Sequence, residues 1–113
     1  MKIEKETQDK IQELQISEQT LQNILLQKQA FQFEMNEIES CMGEVEKSQG
    51  DIFKIAGQIM LKTDKKSVQK DLEEKKKLVE LRIKTIEKQE SLLKDKVSSL
   101  RKNIDDSLAK KEK

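Results

Sequence analysis

The stretch DIFKIAGQIMLKT, Asp51–Thr63, decides how this chain is read. Phe53, Ile55, Ile59 and Leu61 alternate with Lys54, Lys62 and their neighbours, which is the two-residue period of a strand. Gly57 sits at the centre and supplies a turn. A loop of Ala56-Gly57-Gln58 would oppose Ile55 to Ile59 and Phe53 to Leu61 and gather all four apolar side chains on one face. Three-residue loops containing Gly are common hairpin connections. A two-residue turn at Gly57-Gln58 would instead oppose Phe53 to Lys62, the poorer arrangement. A lone hairpin is marginal in water, and both its edges carry unpaired backbone groups. It therefore asks for neighbours from other chains, in a sheet or barrel with no free edge.

On either side the period changes to that of a coiled coil. Leu21, Ile24, Lys28, Phe31, Met35, Ile38, Met42 and Val45 are spaced alternately by three and four residues, and all but Lys28 are apolar. Upstream the phase slips. Ile3, Thr7, Ile11, Leu14, Glu18, Leu21 and Leu25 make a looser stripe, with Ile16 and Leu26 off it. After the hairpin the seam reads Leu72, Lys76, Val79, Ile83, Ile86, Glu90, Leu93, Val97, Leu100 and Ile104. The ionic residues Lys28, Lys76 and Glu90 weaken such a seam and can fix its register.

These patterns predict a mainly α chain: a helix over about 1–49, a β-hairpin over 51–63 and a helix over 64–113, all in a single domain. Gly50 is the expected helix stop, as a left-handed residue after the helix end. Gly43 lies inside the heptads as a weak point. Thr63, Asp64 and Ser67 are the candidate N-caps of the second helix. Helices of about 45 residues span roughly 65–70 Å at 1.5 Å per residue. So short a connection folds them back on each other as an antiparallel coiled coil with both termini at one tip.

Composition excludes several functions. Charged residues make up 40% of the 113 and apolar residues only 34%, which fits a long coiled coil or disorder; the periodicity selects the coiled coil. Basic and acidic residues number 23 and 22, so the chain has no strong pull toward nucleic acid or an anionic membrane. Phe31 and Phe33 are too sparse for a base-stacking platform. The polar start MKIEKETQDK lacks the apolar core of a signal peptide, and no run approaches the roughly 20 apolar residues that cross a bilayer. A cytoplasmic protein is expected. The single cysteine, Cys41, flanks the seam and reads as a small packing residue. There is no histidine and no glycine-rich phosphate loop. No catalytic, metal or cofactor residue is expected, and the chain does not read as an enzyme. The lysine clusters Lys65-Lys66, Lys75-Lys77 and Lys110-Lys111 read as solvated helix faces beside Glu73, Glu74 and Glu80.

The order helix, one short hairpin, helix resembles prefoldin, and specifically its beta-class subunits. The likeness is sharpest over IFKIAGQIMLKTD (Ile52–Asp64) and VELRIKTIEKQESLL (Val79–Leu93). Alpha-class subunits have two hairpins, and here there is room for one. Gln58 departs from the Pro or Asn that many relatives carry after the glycine. The resemblance implies a hetero-hexamer of two alpha-class and four beta-class chains, or a set of distinct relatives, whose hairpins build an intersubunit β-barrel platform. Coiled-coil arms hang from it, and their tips hold unfolded or nascent proteins without ATP and pass them to a cytosolic group II chaperonin.

Two sets of residues follow as candidates. The assembly hairpin is Phe53, Ile55, Gly57, Ile59 and Leu61. The client-binding tips are Ile3, Ile11, Leu14 and Ile16 from the first helix with Leu100, Ile104 and Leu108 from the second. Seam spacing favours simple zipping for Leu14, Leu100 and Ile104, whereas Ile16 and Leu108 fall off the seam. Two other readings compete: a structural coiled-coil adaptor that binds one folded partner, and an arm presenting nucleic acid, which the near-zero net charge disfavours.

Overall fold

The computed structural model describes residues 4–111. In chain order these form helix α1 (Lys5–Lys47), strand β1 (Ile52–Ala56), strand β2 (Ile59–Thr63) and helix α2 (Lys65–Lys111). Lys, Glu, Gln and Leu fill both helices, and all four lose little side-chain freedom in a helix. The chain divides into two compact units: residues Gln29–Lys84, and the pair Met1–Lys28 with Thr85–Lys113.

The unit of Gln29–Lys84 holds the hairpin and the helix ends that carry it. Ile38, Val45, Leu72 and Val79 form its buried core, and Val79 is the most enclosed at 2% exposure. Phe31, Met35, Met42, Ile52, Val68 and Ile83 pack around that core. The pattern is one apolar stripe from each helix closing on the other. Ile52 is the hairpin's only member of this cluster, so the sheet is anchored at its root.

Capping settles where the helices stop. The Asp64 carboxylate accepts a hydrogen bond from the Ser67 backbone N–H at 2.7 Å, so Asp64 is the N-cap of α2. That bond, with a further one from the Ser67 side chain, holds the Asp64 carboxyl below its usual range. α1 ends at Lys47, where the Ser48 N–H bonds the Val45 carbonyl at 3.2 Å in a tightened last turn. The Lys65 ammonium donates to the Glu46 carbonyl at 2.7 Å and brings a cation to the negative end of α1. Gly50 was expected to stop the helix by turning left-handed. It does not: Gly57 is the only described residue with positive φ. The tightened turn and Lys65 end α1 instead.

The unit of residues 4–28 and 85–111 is a helix pair alone. Ile24, Ile86, Val97, Leu100 and Ile104 are buried along its seam. Thr7 and Ser17 are buried with them, at positions where α1 offers small polar side chains. Ser17 thus lies in the seam and Glu18 flanks it, which accounts for the looser pattern upstream. Arg101 Nε and Nη2 both donate to Glu18 Oε1, the former at 3.1 Å. Lys96 meets Glu13 at 3.0 Å and Lys28 meets Glu90 at 3.5 Å. The pairs Glu18–Arg101 and Lys28–Glu90 run in opposite directions along the two helices, so the helices are antiparallel in this unit.

Candidate functional site

The hairpin pairs Ile52 with Thr63, Phe53 with Lys62, Lys54 with Leu61, Ile55 with Met60 and Ala56 with Ile59. This is the two-residue turn at Gly57-Gln58, not the three-residue loop that the apolar pattern favoured. Gly57 has φ +64°, and no described non-glycine residue has positive φ. Only the first loop residue is therefore left-handed, the signature of a type II′ turn, in which glycine takes that place. Primed turns match the strand twist, and here turn chemistry overrides the gathering of side chains.

The register changes the surface. Residues directly opposite share a face. Phe53, Ile55 and Met60 therefore lie on one face with Lys62. Ile52, Ala56, Ile59 and Leu61 lie on the other with Lys54 and Thr63. The expected single apolar face is replaced by two. Met60, absent from the expected set, is as exposed as its neighbours. Phe53 at 53% exposure, Ile55 at 72% and Ile59, Met60 and Leu61 all stand largely in solvent. The face of Ile52 turns toward the helix root, where Lys54 Nζ lies 3.9 Å from the Asp71 carboxylate. Lys62 pairs with Asp51 at 3.7 Å. A two-stranded sheet leaves the outer edge of each strand unpaired. Exposed apolar area on both faces and free edges on both sides suit a contact surface, not a catalytic one.

The candidate tip residues separate by burial. Leu100 and Ile104 are buried in the seam, and Ile11 and Leu14 are half-buried beside it. Leu108 was expected off the seam. It is half-buried, because four residues beyond Ile104 it continues the same stripe. Ile16 is exposed at 58%, as its off-seam position predicts. Ile3 lies outside the described residues. Three exposed leucines in this unit lie outside the expected tip set: Leu25, Leu26 and Leu92. The signal was present as apolar neighbours in sequence. Ile24-Leu25-Leu26 and Leu92-Leu93 cannot all face one partner helix, since adjacent helical residues point about 100° apart. Leu92 borders an open groove of about 400 Å³ with Thr20, Ile24, Gln89, Leu93 and Lys96.

No group of His, Cys, Asp or Glu that could hold a metal occurs among the described residues. Among the described residues no helix is long and apolar enough to cross a membrane. What the arrangement offers is apolar contact, which is non-directional and tolerant of many partners.

Comparison with known proteins agrees with this geometry. The family model for the prefoldin subunit matches residues 8–111. No curated protein matches the chain. Among solved structures, the crystal structure of the prefoldin beta subunit from Thermococcus strain KS-1 is similar, with a TM-score of 0.89 and 29% identity over 95% of this chain and 96% of that one. Two long helices joined by one antiparallel hairpin, matched in sequence over almost the whole length, place the chain in the prefoldin family, as a beta-class subunit.

Proposed function

We propose that the chain works as one subunit of an ATP-independent holdase, a hetero-hexamer built with alpha-class subunits and further beta-class copies or relatives. Its hairpin joins an intersubunit β-barrel, its helical arm reaches unfolded or nascent polypeptides, and the complex passes these to a group II chaperonin in the cytoplasm. The observation that carries this reading is the hairpin, apolar on both faces and unpaired at both edges, on a chain of the prefoldin family. Burial of one such apolar side chain is worth roughly 1.5–3 kcal/mol, so several together offset the ordering cost of assembly.

Client contact is assigned to the tip set, Ile3, Ile11, Leu14, Ile16, Leu100, Ile104 and Leu108, with a division of labour that follows burial. Ile16 is available while the arm is closed, and the exposed Leu92 adds to it. Leu100 and Ile104 become available only where the helix pair opens. The test is suppression of client aggregation by the assembled complex. Replacing Ile16 and Leu92 with Ser is expected to weaken suppression while the complex keeps its mass. Full suppression by that variant would remove the arm from client capture. Stable binding of one folded protein, without protection of unfolded clients, would favour the adaptor.

A further inference from the structure

The unit of Gln29–Lys84 carries a second surface, away from the hairpin. An open groove of about 440 Å³ runs between the helices above the buried pair Ile38 and Val79. Its α1 wall is acidic, with Glu34 and Glu37, and its α2 wall is basic, with Lys75 and Arg82. Leu78, nearly half-exposed, and Cys41 bring apolar surface to it. Cys41 was expected to be a packing residue. It is exposed, because it flanks the seam on the groove side.

The four charges have no ion-pair partner among the described residues, although Lys76 next to Lys75 reaches Glu39 at 3.8 Å. The groove therefore has two opposite charged walls left open and an apolar floor between them. A twofold axis parallel to the helices turns such a groove onto itself with the acidic wall of one copy over the basic wall of the other. With the helices kept aligned, the alternative twofold, perpendicular to them, sets like walls together, which is unfavourable. The charge pattern is thus complementary to its own copy, with the helices of both copies pointing the same way. A shared hairpin platform would impose that same direction on neighbouring arms.

We propose that this groove seats the same groove of a second copy of the chain, as a lateral contact between arms near their root. The contact is separate from the hairpin assembly and from client capture. Opposite charges set its register and Leu78 and Cys41 are covered by it. Because the charges are near solvent, salt weakens it.

Cys41 is the only cysteine, so its reactivity toward a maleimide reports the groove directly. The experiment uses the full chain and four forms: wild type, E34K/E37K, K75E/R82E, and the chain with all four reversals. All four positions are exposed, and circular dichroism checks that each form stays helical. In the concentrated wild type Cys41 is expected to be protected, with protection lost on dilution or in high salt. Each double variant alone is expected to lose protection. An equimolar mixture of the two doubles, and the fourfold reversal, are expected to recover it. Equal labelling of Cys41 in all forms would overturn the proposal, as would protection that appears only when a different protein is added. The charge-swap pattern is independent of aggregation suppression, so failure of the holdase reading would leave it standing and be recognised as such.

Discussion

Lys28 and Glu90 are the pair most open to a quantitative test. Each interrupts an apolar seam, and the structure sets them against each other at 3.5 Å with side-chain exposures of 26% and 12%. Glu90 Oε1 also meets Lys94 at 3.6 Å, while Glu90 Oε2 is buried without a hydrogen-bond partner. At an effective dielectric of about 20, two charges at that distance attract by about 5 kcal/mol. Removing both from water costs several kcal/mol per ion. The two contributions nearly cancel, and the orphaned Oε2 leaves the sum unfavourable relative to an apolar layer. Lys28→Leu alone strands the Glu90 carboxylate with only the exposed Lys94, and is expected to cost about 1–3 kcal/mol. Glu90→Leu alone leaves a partly exposed lysine that can reach water, and is expected to cost less. The double variant Lys28→Leu/Glu90→Leu restores a continuous apolar seam and is expected to be more stable than wild type by about 1–4 kcal/mol. Urea unfolding followed by far-UV circular dichroism measures all four chains as a double-mutant cycle. A double variant less stable than wild type would refute the reasoning and show that the pair is a net stabiliser. The expected penalty of the double variant is specificity: without a polar layer to fix register, it populates species of additional mass in sedimentation.

Three further outcomes follow from the same physics. Gly43 lies inside α1, and a Cβ there would meet nothing within 4 Å, so Gly43→Ala is expected to stabilise the helix by about 0.5–1 kcal/mol; a fall in melting temperature would contradict it. Phe53→Asp and Met60→Asp each put a carboxylate on the same hairpin face, and both are expected to break the complex into smaller species in sedimentation, whereas retention of wild-type mass by Met60→Asp would refute the observed register. Asp64 has a folded-state pKa below its ordinary 3.8, so the stability it contributes is present above that value and is lost as pH falls through the lower folded value. Asp64→Ala is expected to lower the melting temperature at neutral pH and to match wild type at the acid extreme; a difference that persists unchanged there would remove the carboxylate cap as its cause.

The long-range organisation of this chain was legible because it depends on repetition. The α2 seam from Leu72 to Ile104 was read residue by residue, since a strict 3.5-residue period admits one buried stripe. The α1 seam upstream of Leu21 was read only loosely. Thr7 and Ser17 are small and polar, and nothing in their chemistry announces burial until the partner helix is in place. The pairing of Lys28 with Glu90 likewise needs the register of two helices, which neither helix contains alone. The hairpin shows the opposite fault. Its turn was legible in Gly57, but the appeal of one shared apolar face outweighed the stereochemistry of a two-residue loop. The assumption behind that choice was that an isolated hairpin should hide one face. A hairpin destined for neighbours on both sides has no such need, and so Phe53 and Leu61 point apart. At the tip, Leu108 was expected off the seam, although a spacing of four from Ile104 is enough for partial burial.

The central claim, that this chain is one beta-class subunit of a multi-chain holdase, is tested most directly by native mass spectrometry of the complex purified through this chain from its own cells. The account predicts a hexamer of similar-sized subunits, containing this chain more than once or beside distinct relatives, and dissociating when Phe53 is replaced with Asp. A two-chain coiled coil, or a stable complex with one larger folded partner that survives that substitution, would contradict it.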